Sequence, residues 1–341
     1  MTEVSGAEQN RFLTGDNATR TDVNQAWEQD NQAWWDWYVS LADNQDGEVT
    51  LQELPPTPAI AEPDDATLMA ELAEPYPLTD DDVAFFQENA FIKLKNVLSP
   101  GATVRLRREL VRMLTAEFDS DLDGGISDRF LSMDMMWTTD PIIRAYVLSP
   151  RIAKICADLL KVPRLRLYHD NILSKEPACG RTPWHFDDHH FPLASHDVVT
   201  AWIPAQAIPL VMGPLAFAAG MDTYKLIEGV DFNKFDTSYD RTVADIFRQS
   251  GVRVDESPFE IGEVSFHHNL SFHTAARNRT TQSRIVLANT FYADGARVLD
   301  QPTMVSGDWL KFIPGAEPGG LAESDMNPVV WPPEAGFGDP Q

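Results

Sequence analysis

RTPWHFDDHHF (residues 181–191) and GEVSFHHNLSFHTAARNRTTQSRIVLANTFYA (262–293) are the two stretches on which the reading of this chain turns. The first holds His185 and Asp187, two residues apart. In an extended strand such residues project from one face, so an imidazole and a carboxylate would be presented together. Alone the pair is weak evidence, because a strand-edge histidine beside an acid is commoner than a metal site. A third ligand must come from elsewhere, and the second stretch offers His267, His268 and His273. That stretch reads as a β-hairpin, with an incoming strand near 270–275, a polar turn at 276–282 and an outgoing strand from Ser283. Such a hairpin would set His273 and Arg284 near one end of adjacent strands, at similar depth.

Outward from these stretches, short β-like runs dominate the chain after residue 160. They lie at 164–174, 182–187, 197–204, 213–219, 252–254, 263–267, 270–275 and 284–293, separated by turn residues. Before them the pattern is helical. Thr79 with Asp82 three residues on is a capping-box-like start to a helix that runs to about Asn89. A short strand at 91–97, a helix from Pro100 to about Phe118 and another over 149–160 follow. About eight strands behind a helical front suit a double-sheet jelly roll or barrel. The fold class is thus mainly β with flanking helices. Residues 222–250 form a longer lid-like insertion, helical near 239–249, and residues 300–341 are expected to wrap the surface.

The 341 residues carry a formal charge of −25, and the acidity is uneven. Residues 1–82 hold 19 Asp and Glu against Arg11 and Arg20, while the rest is only mildly acidic. Residues 1–77 therefore read as an acidic extension and linker ahead of a main domain at 78–341. Within the extension, 22–42 reads as a helix with Trp27, Trp34, Trp35 and Trp37 on its apolar side. It would pack on the main domain or on a second subunit, which leaves a homodimer open, or cap a site. Six prolines between 55 and 77 suggest an extended linker. The charge argues against nucleic acid and against an anionic membrane surface as partners. Two cysteines, Cys156 and Cys179, exclude a disulfide scaffold. No secretory leader pattern is visible, so the expected location is cytoplasmic.

Two stretches resemble calcium loops, and each is broken. DNQDGEVTLQEL (43–54) would need Ala42 as its first ligand. DSDLDGGISDRF (119–130) opens well, with Asp119, Asp121 and Asp123, but has Phe130 where a bidentate glutamate belongs. They read as polar turns, with a weak calcium site at the three aspartates as the sharper alternative.

Two histidines and one carboxylate make the facial ligand set of non-haem Fe(II) oxygenases, with three coordination positions left open. An arginine beside them would form a bidentate pair with the carboxylate of a keto-acid cosubstrate. HxD, a histidine some ninety residues later and an arginine eleven residues after it resemble the 2-oxoglutarate-dependent oxygenases, and among them the phytanoyl-CoA dioxygenase family. The front segment LTDDDVAFFQENAFIKLKNVLSPGATVRLRREL and the segment KEPACGRTPWHFDD share in the resemblance, which spans about 78–315. It implies a double-stranded β-helix, a jelly roll of cupin-like form, with Fe(II) held by His185, Asp187 and His273, and Arg284 on the far carboxylate of 2-oxoglutarate. With O2 as the other cosubstrate, it implies hydroxylation of an unactivated C–H bond, with succinate and CO2 as co-products.

The resemblance also suggests Asn171 near the keto-acid end of the cosubstrate, Lys175 at the entrance, and Trp202 facing the interior beside it. Each has a plainer reading, as strand filler, solvated surface and core respectively. His189 continues the 185/187 face and is the one rival ligand; His190, His196, His267 and His268 read as supporting or surface residues. Met212-Gly-Pro-Leu215 and Gly220-Met221-Asp222 depart from the family's Asn-Gly-Pro-Leu and Gly-Ser-His runs, which puts substrate inference in doubt. A basic patch for a coenzyme A thioester is lacking apart from RLRREL (105–110), so a mostly apolar small molecule or hydrophobic acid is expected. A non-catalytic binding module of the same fold, and a cupin-like metal oxygenase without 2-oxoglutarate, are the alternatives.

Overall fold

The computed structural model describes residues 49–55, 59–118, 129–230, 237–302 and 309–333. The aromatic helix expected over 22–42 and the turn with Asp119, Asp121 and Asp123 lie outside them. In chain order the elements are α1 (Asp65–Ala73), α2 (Asp80–Asn89), β1 (Phe91–Leu94), α3 (Pro100–Phe118), β2 (Phe130–Asp134), α4 (Pro141–Val147), α5 (Pro150–Leu160), β3 (Leu165–Lys175), β4 (Thr182–His185), β5 (Val198–Pro204), β6 (Leu215–Ala218), α6 (Ser238–Ser250), β7 (Val254–Asp255), β8 (Val264–His268), β9 (His273–Ala275), β10 (Arg284–Ala293) and β11 (Val329–Trp331).

The strands form two antiparallel sheets. The larger runs β1-β8-β5-β10-β3-β11, with β2 also on β3; the smaller runs β4-β9-β6-β7. Side-chain alternation along each strand decides what each face meets. On β10, Ile285 and Leu287 join Val199, Ala201 and Ile203 of β5 in a core shared with α1 to α5. Val286 and Ala288, one residue out of phase, turn inward with Trp202 to meet Leu215, Phe217 and Ala275 of the smaller sheet. Helices thus cover the outer face of the large sheet, and the two sheets close on each other, as the jelly-roll reading expects.

The expected strands and helices after residue 78 are present, with shifts at their ends. The capping box at Thr79 and Asp82 forms as expected. The strand expected over 91–97 stops at Leu94, because Asn96 takes a left-handed conformation (φ 56°). Residues 65–73, expected to be extended linker, form α1, whose Leu68 and Leu72 are buried. The prolines were punctuation: Pro63 and Pro75 flank the helix, and Asp64 caps it by accepting from Thr67 N at 2.8 Å.

The hairpin expected across 270–293 is corrected. β9 pairs with β4 and β6, whereas β10 pairs with β3 and β5, so the 276–282 turn crosses from one sheet to the other. Buried Asn278 holds that crossing, its Nδ2 donating to the carbonyls of Lys175, Glu176 and Gln282. Alternating polarity fits an arch between sheets as well as a hairpin within one, so local pattern could not separate them.

On the outer face of β3, fully buried Asp170 accepts from Met136 N at 3.0 Å and Trp137 N at 3.3 Å, fixing the turn after β2. Burial pushes its carboxyl up to about 7, against the opposing pull of those N–H groups. Protonated Asp170 therefore favours the native state. Its contribution is full below the ordinary carboxyl range and is lost as pH rises through about 7, by up to about 1.4 kcal/mol per pH unit. Asp170→Asn keeps an acceptor and does not titrate. Urea denaturation should show the wild type losing more stability than this variant between about pH 5 and pH 7.

Candidate metal centre

β4 and β9 are antiparallel neighbours whose register sets His185 opposite His273. The two rings lie 4.2 Å apart, centroid to centroid. Asp187 comes from the turn beyond β4. Its backbone is αR (φ −88°, ψ −11°) rather than extended, so the 185/187 pair does not share a strand face in the way the sequence suggested. The carboxylate is delivered by a bend instead: Asp187 N and Asp188 N both donate to Asn269 O, at 2.9 and 3.1 Å. Oδ1 of Asp187 then lies 3.6 Å from Nε2 of His185 and 3.8 Å from Nε2 of His273. One ligand atom from each of the three falls within 4.8 Å of the others, and among the described residues no other group of three does so.

The donor set fits a divalent transition metal. Nδ1 of His185 lies 2.8 Å from Pro183 O, and Nδ1 of His273 lies 3.0 Å from Ser271 O. A carbonyl oxygen only accepts, so each Nδ1 carries a proton and each neutral ring offers its Nε2 lone pair to the cluster. Burial, opposed by Asp187, lowers both histidines, His273 farthest. Burial works to raise Asp187, but the imidazoles around it, His273 first, and a hydrogen bond from His267 hold it well below the usual carboxylate range. Two neutral imidazoles and one ionised carboxylate suit Fe(II) and leave room for further ligands.

Arg284 opens β10 on the inner face, 2% exposed. Nη1 donates to Gly213 O, the guanidinium lies 5.3 Å over the Trp202 ring, and Nε is buried without a hydrogen-bond partner. No carboxylate pairs with it among the described residues, and burial lowers it to about 10. A buried cation without a counter-ion is a costly feature that an anionic ligand would relieve.

Trp202 faces inward as expected. Asn171 also faces inward and accepts from Ser132 Oγ at 2.8 Å. Lys175 corrects the reading of it as an entrance or surface residue. It is fully buried opposite Arg284 in register, with Nζ 2.7 Å from Gly180 O and 3.3 Å from Ala276 O. The inward phase of β3 puts it at the closed end. His189 is not part of the cluster, because the 188–190 turn stacks its ring on Phe186 at 4.4 Å. His196 pairs with Asp188 at 2.7 Å, and His268 packs outward on Phe86.

Two neighbours of the site go beyond the sequence reading, which gives His267 as a candidate ligand or a supporting or surface histidine and gives Asp240 no role. His267 is buried with Nε2 3.3 Å from Oδ2 of Asp187. Asp240, on α6, accepts from Trp184 N at 3.1 Å and pairs with Arg181 at 3.0 Å, tying the insertion to β4. Local pattern places neither against its partner, because each acquires its neighbour only through a contact between sheets or from a separate helix. A cavity of about 290 Å³ opens beside the 188–190 turn, lined among others by Asp188, His189, Phe191, Leu193 and Leu299.

Comparison with known proteins agrees with the fold. The family model described as phytanoyl-CoA dioxygenase matches residues 86–286. The chain is similar to the peroxisomal phytanoyl-CoA dioxygenases of Mus musculus (26% identical over 243 residues, 65% of this chain and 71% of the relative) and Homo sapiens (24%, with the same coverage). Among solved structures it resembles the non-heme alpha ketoglutarate dependent carbocyclase SnoK from nogalamycin biosynthesis (TM-score 0.59, 24% identity, 75% of this chain and 99% of that one). It also resembles EctD from S. alaskensis with 2-oxoglutarate and 5-hydroxyectoine (TM-score 0.55, 14% identity, 82% and 96%).

Gly213 has φ +73°, and a Cβ there would lie 2.2 Å from Ala276 O. Gly213→Ala is expected to force the two backbones apart and disturb the acceptor of Arg284, costing about 1–3 kcal/mol as a lowered urea midpoint. Gly229→Ala, at φ +83° but with nothing within 4 Å, should cost less.

Proposed function

The chain belongs to the phytanoyl-CoA dioxygenase family, and on that premise we propose that His185, Asp187 and His273 hold its Fe(II) while Arg284 anchors 2-oxoglutarate. The chain is a non-haem Fe(II)/2-oxoglutarate-dependent oxygenase with a small-molecule substrate. The observation that carries the residue assignment is the buried guanidinium of Arg284, which has no carboxylate partner among the described residues. It shares the space between the sheets with the His-Asp-His cluster. A dicarboxylate whose keto acid meets the metal supplies the missing counter-charge.

Bound Fe(II), with 2-oxoglutarate and O2, supplies the oxidising power for the substrate, and the cosubstrate leaves as succinate and CO2. The chain's own residues bind, orient and exclude water. His185 and His273 present Nε2 because their Nδ1 atoms are tied to carbonyls. Trp202 packs on the Arg284 guanidinium and Gly213 O accepts from it, so the cation keeps one orientation. Asn171, held by Ser132, offers an amide at mid-depth. Lys175 adds positive charge at the closed end, beside Arg284 in register.

The proposed reaction is hydroxylation of an unactivated C–H bond in a mostly apolar small molecule. Aromatic side chains on the cluster's own face support this: Phe217 lies 6.0 Å from His273 and 5.6 Å from His267, and Trp202 packs on Arg284. Tyr224 and Phe247 of the 222–250 insertion pack on Phe186 and Trp184, the residues that alternate with His185, so the described part of the insertion backs β4. The arginines of the 105–110 segment, which a thioester's phosphates would need, are engaged elsewhere. Arg105 pairs with Asp65 at 2.7 Å, and Arg108 pairs with Glu62 and Glu109. No described helix is long and apolar enough to cross a membrane, and two buried cysteines outside any disulfide suit a reducing compartment such as the cytoplasm.

Anaerobic addition of Fe(II) and 2-oxoglutarate to the purified protein should give a visible metal-to-ligand charge-transfer band. Asp187→Ala should abolish it. Arg284→Ala should weaken 2-oxoglutarate binding by about 30-fold to several thousand-fold, the roughly 2–5 kcal/mol of a buried charge pair. Iron binding without any band would overturn the 2-oxoglutarate assignment.

A further inference from the structure

Asp187 faces two ways. Oδ1 is turned toward Nε2 of His185 and His273, while Oδ2 lies 3.3 Å from Nε2 of His267. His267 sits on the central strand β8, opposite Phe91 of β1 and Thr200 of β5. Its side chain is 3% exposed. The ring packs 4.7 Å from His273 and 5.6 Å from Phe217, so its plane is fixed from two sides. Its Nδ1 is buried with no hydrogen-bond partner.

A bare ring nitrogen in the interior is unfavourable by about 1–3 kcal/mol. A phenylalanine would fill much the same space among these aromatic neighbours without it. What phenylalanine lacks is a donor for Oδ2 of Asp187.

We propose that His267 is a positioning residue: it ties up one carboxylate oxygen of Asp187, so that Asp187 meets the metal through Oδ1 alone. The inference rests on the iron reading above. Its physical content is a fixed carboxylate. Asp187 lies on a bend rather than in a strand, so without a second anchor its carboxylate is free to rotate. A rotated or chelating carboxylate would also take a position that the keto acid and O2 need, since the facial set works by leaving three open. Partners that orient a ligand from behind typically contribute 10–100-fold to metal affinity.

The test uses metal alone, with Co(II) as a visible stand-in for Fe(II), titrated into the apo full-length chain. His267→Phe should keep the near-UV circular dichroism and weaken Co(II) binding about 10–100-fold. His267→Gln, whose amide can donate to the same oxygen, should recover most of the affinity. If His267→Phe does not fold, His267→Leu takes its place in the comparison. Wild-type affinity in the donor-less variant would overturn the proposal, and so would a glutamine variant as weak as the phenylalanine one. These failures are distinct from failure of the iron reading, which would show as no charge-transfer band with 2-oxoglutarate in the wild type.

Discussion

The antiparallel contact of β4 with β9 is the interaction on which the site depends. It is short, a four-residue strand against a three-residue one, yet its register sets His185 opposite His273 across 88 positions of sequence. Everything else at the site is arranged about that contact. The bend after β4 turns Asp187 in, β6 backs the other side of β9, and the large sheet closes over the cluster with His267 and Trp202. A one-residue slip would send every side chain of β9 to the other face. The pair is pinned by what flanks it: Thr274 Oγ1 donates to Thr182 O at 2.5 Å, and Asp240 holds Trp184 N from α6.

The interior between the sheets is unusually polar for a space so enclosed. Arg284, Lys175, Asn171, Ser132, His267 and the three clustered residues all point into it, and most are nearly inaccessible to solvent. Most of these groups are satisfied by backbone carbonyls or by each other. Arg284 is a buried cation for which the described chain supplies no carboxylate. Stability comes from elsewhere, above all from the apolar core that α1 to α5 make with the outer face of the large sheet. The fold thus separates its tasks by face: the outer face is packed for cohesion, and the inner one holds polar groups at fixed positions.

Legibility followed the range of the interactions involved. Helices and strands with a strong local period, such as α2 with its capping box or β10 with its alternation, were readable because backbone and neighbouring side chains decide them. α1 was hidden by the prolines that bound it. The 276–282 crossing was read as a hairpin because a strand's pattern says nothing about which sheet it joins. Lys175 was misjudged for a related reason, since a lysine is normally at the surface and only the phase of β3 turns it inward.

The sequence by itself determined the residue types at the site and their order: an HxD pair, a distant histidine and an arginine eleven residues on, within a chain of short alternating strands. That is chemistry and period, both written locally. Only the tertiary structure decided that Asp187 reaches the cluster through a bend, that β9 and β10 belong to different sheets, and that His267 rather than His189 lies against the carboxylate. These depend on the closure of two sheets on each other. Closure brings together residues eighty or more positions apart, and no pattern along the chain records such a contact.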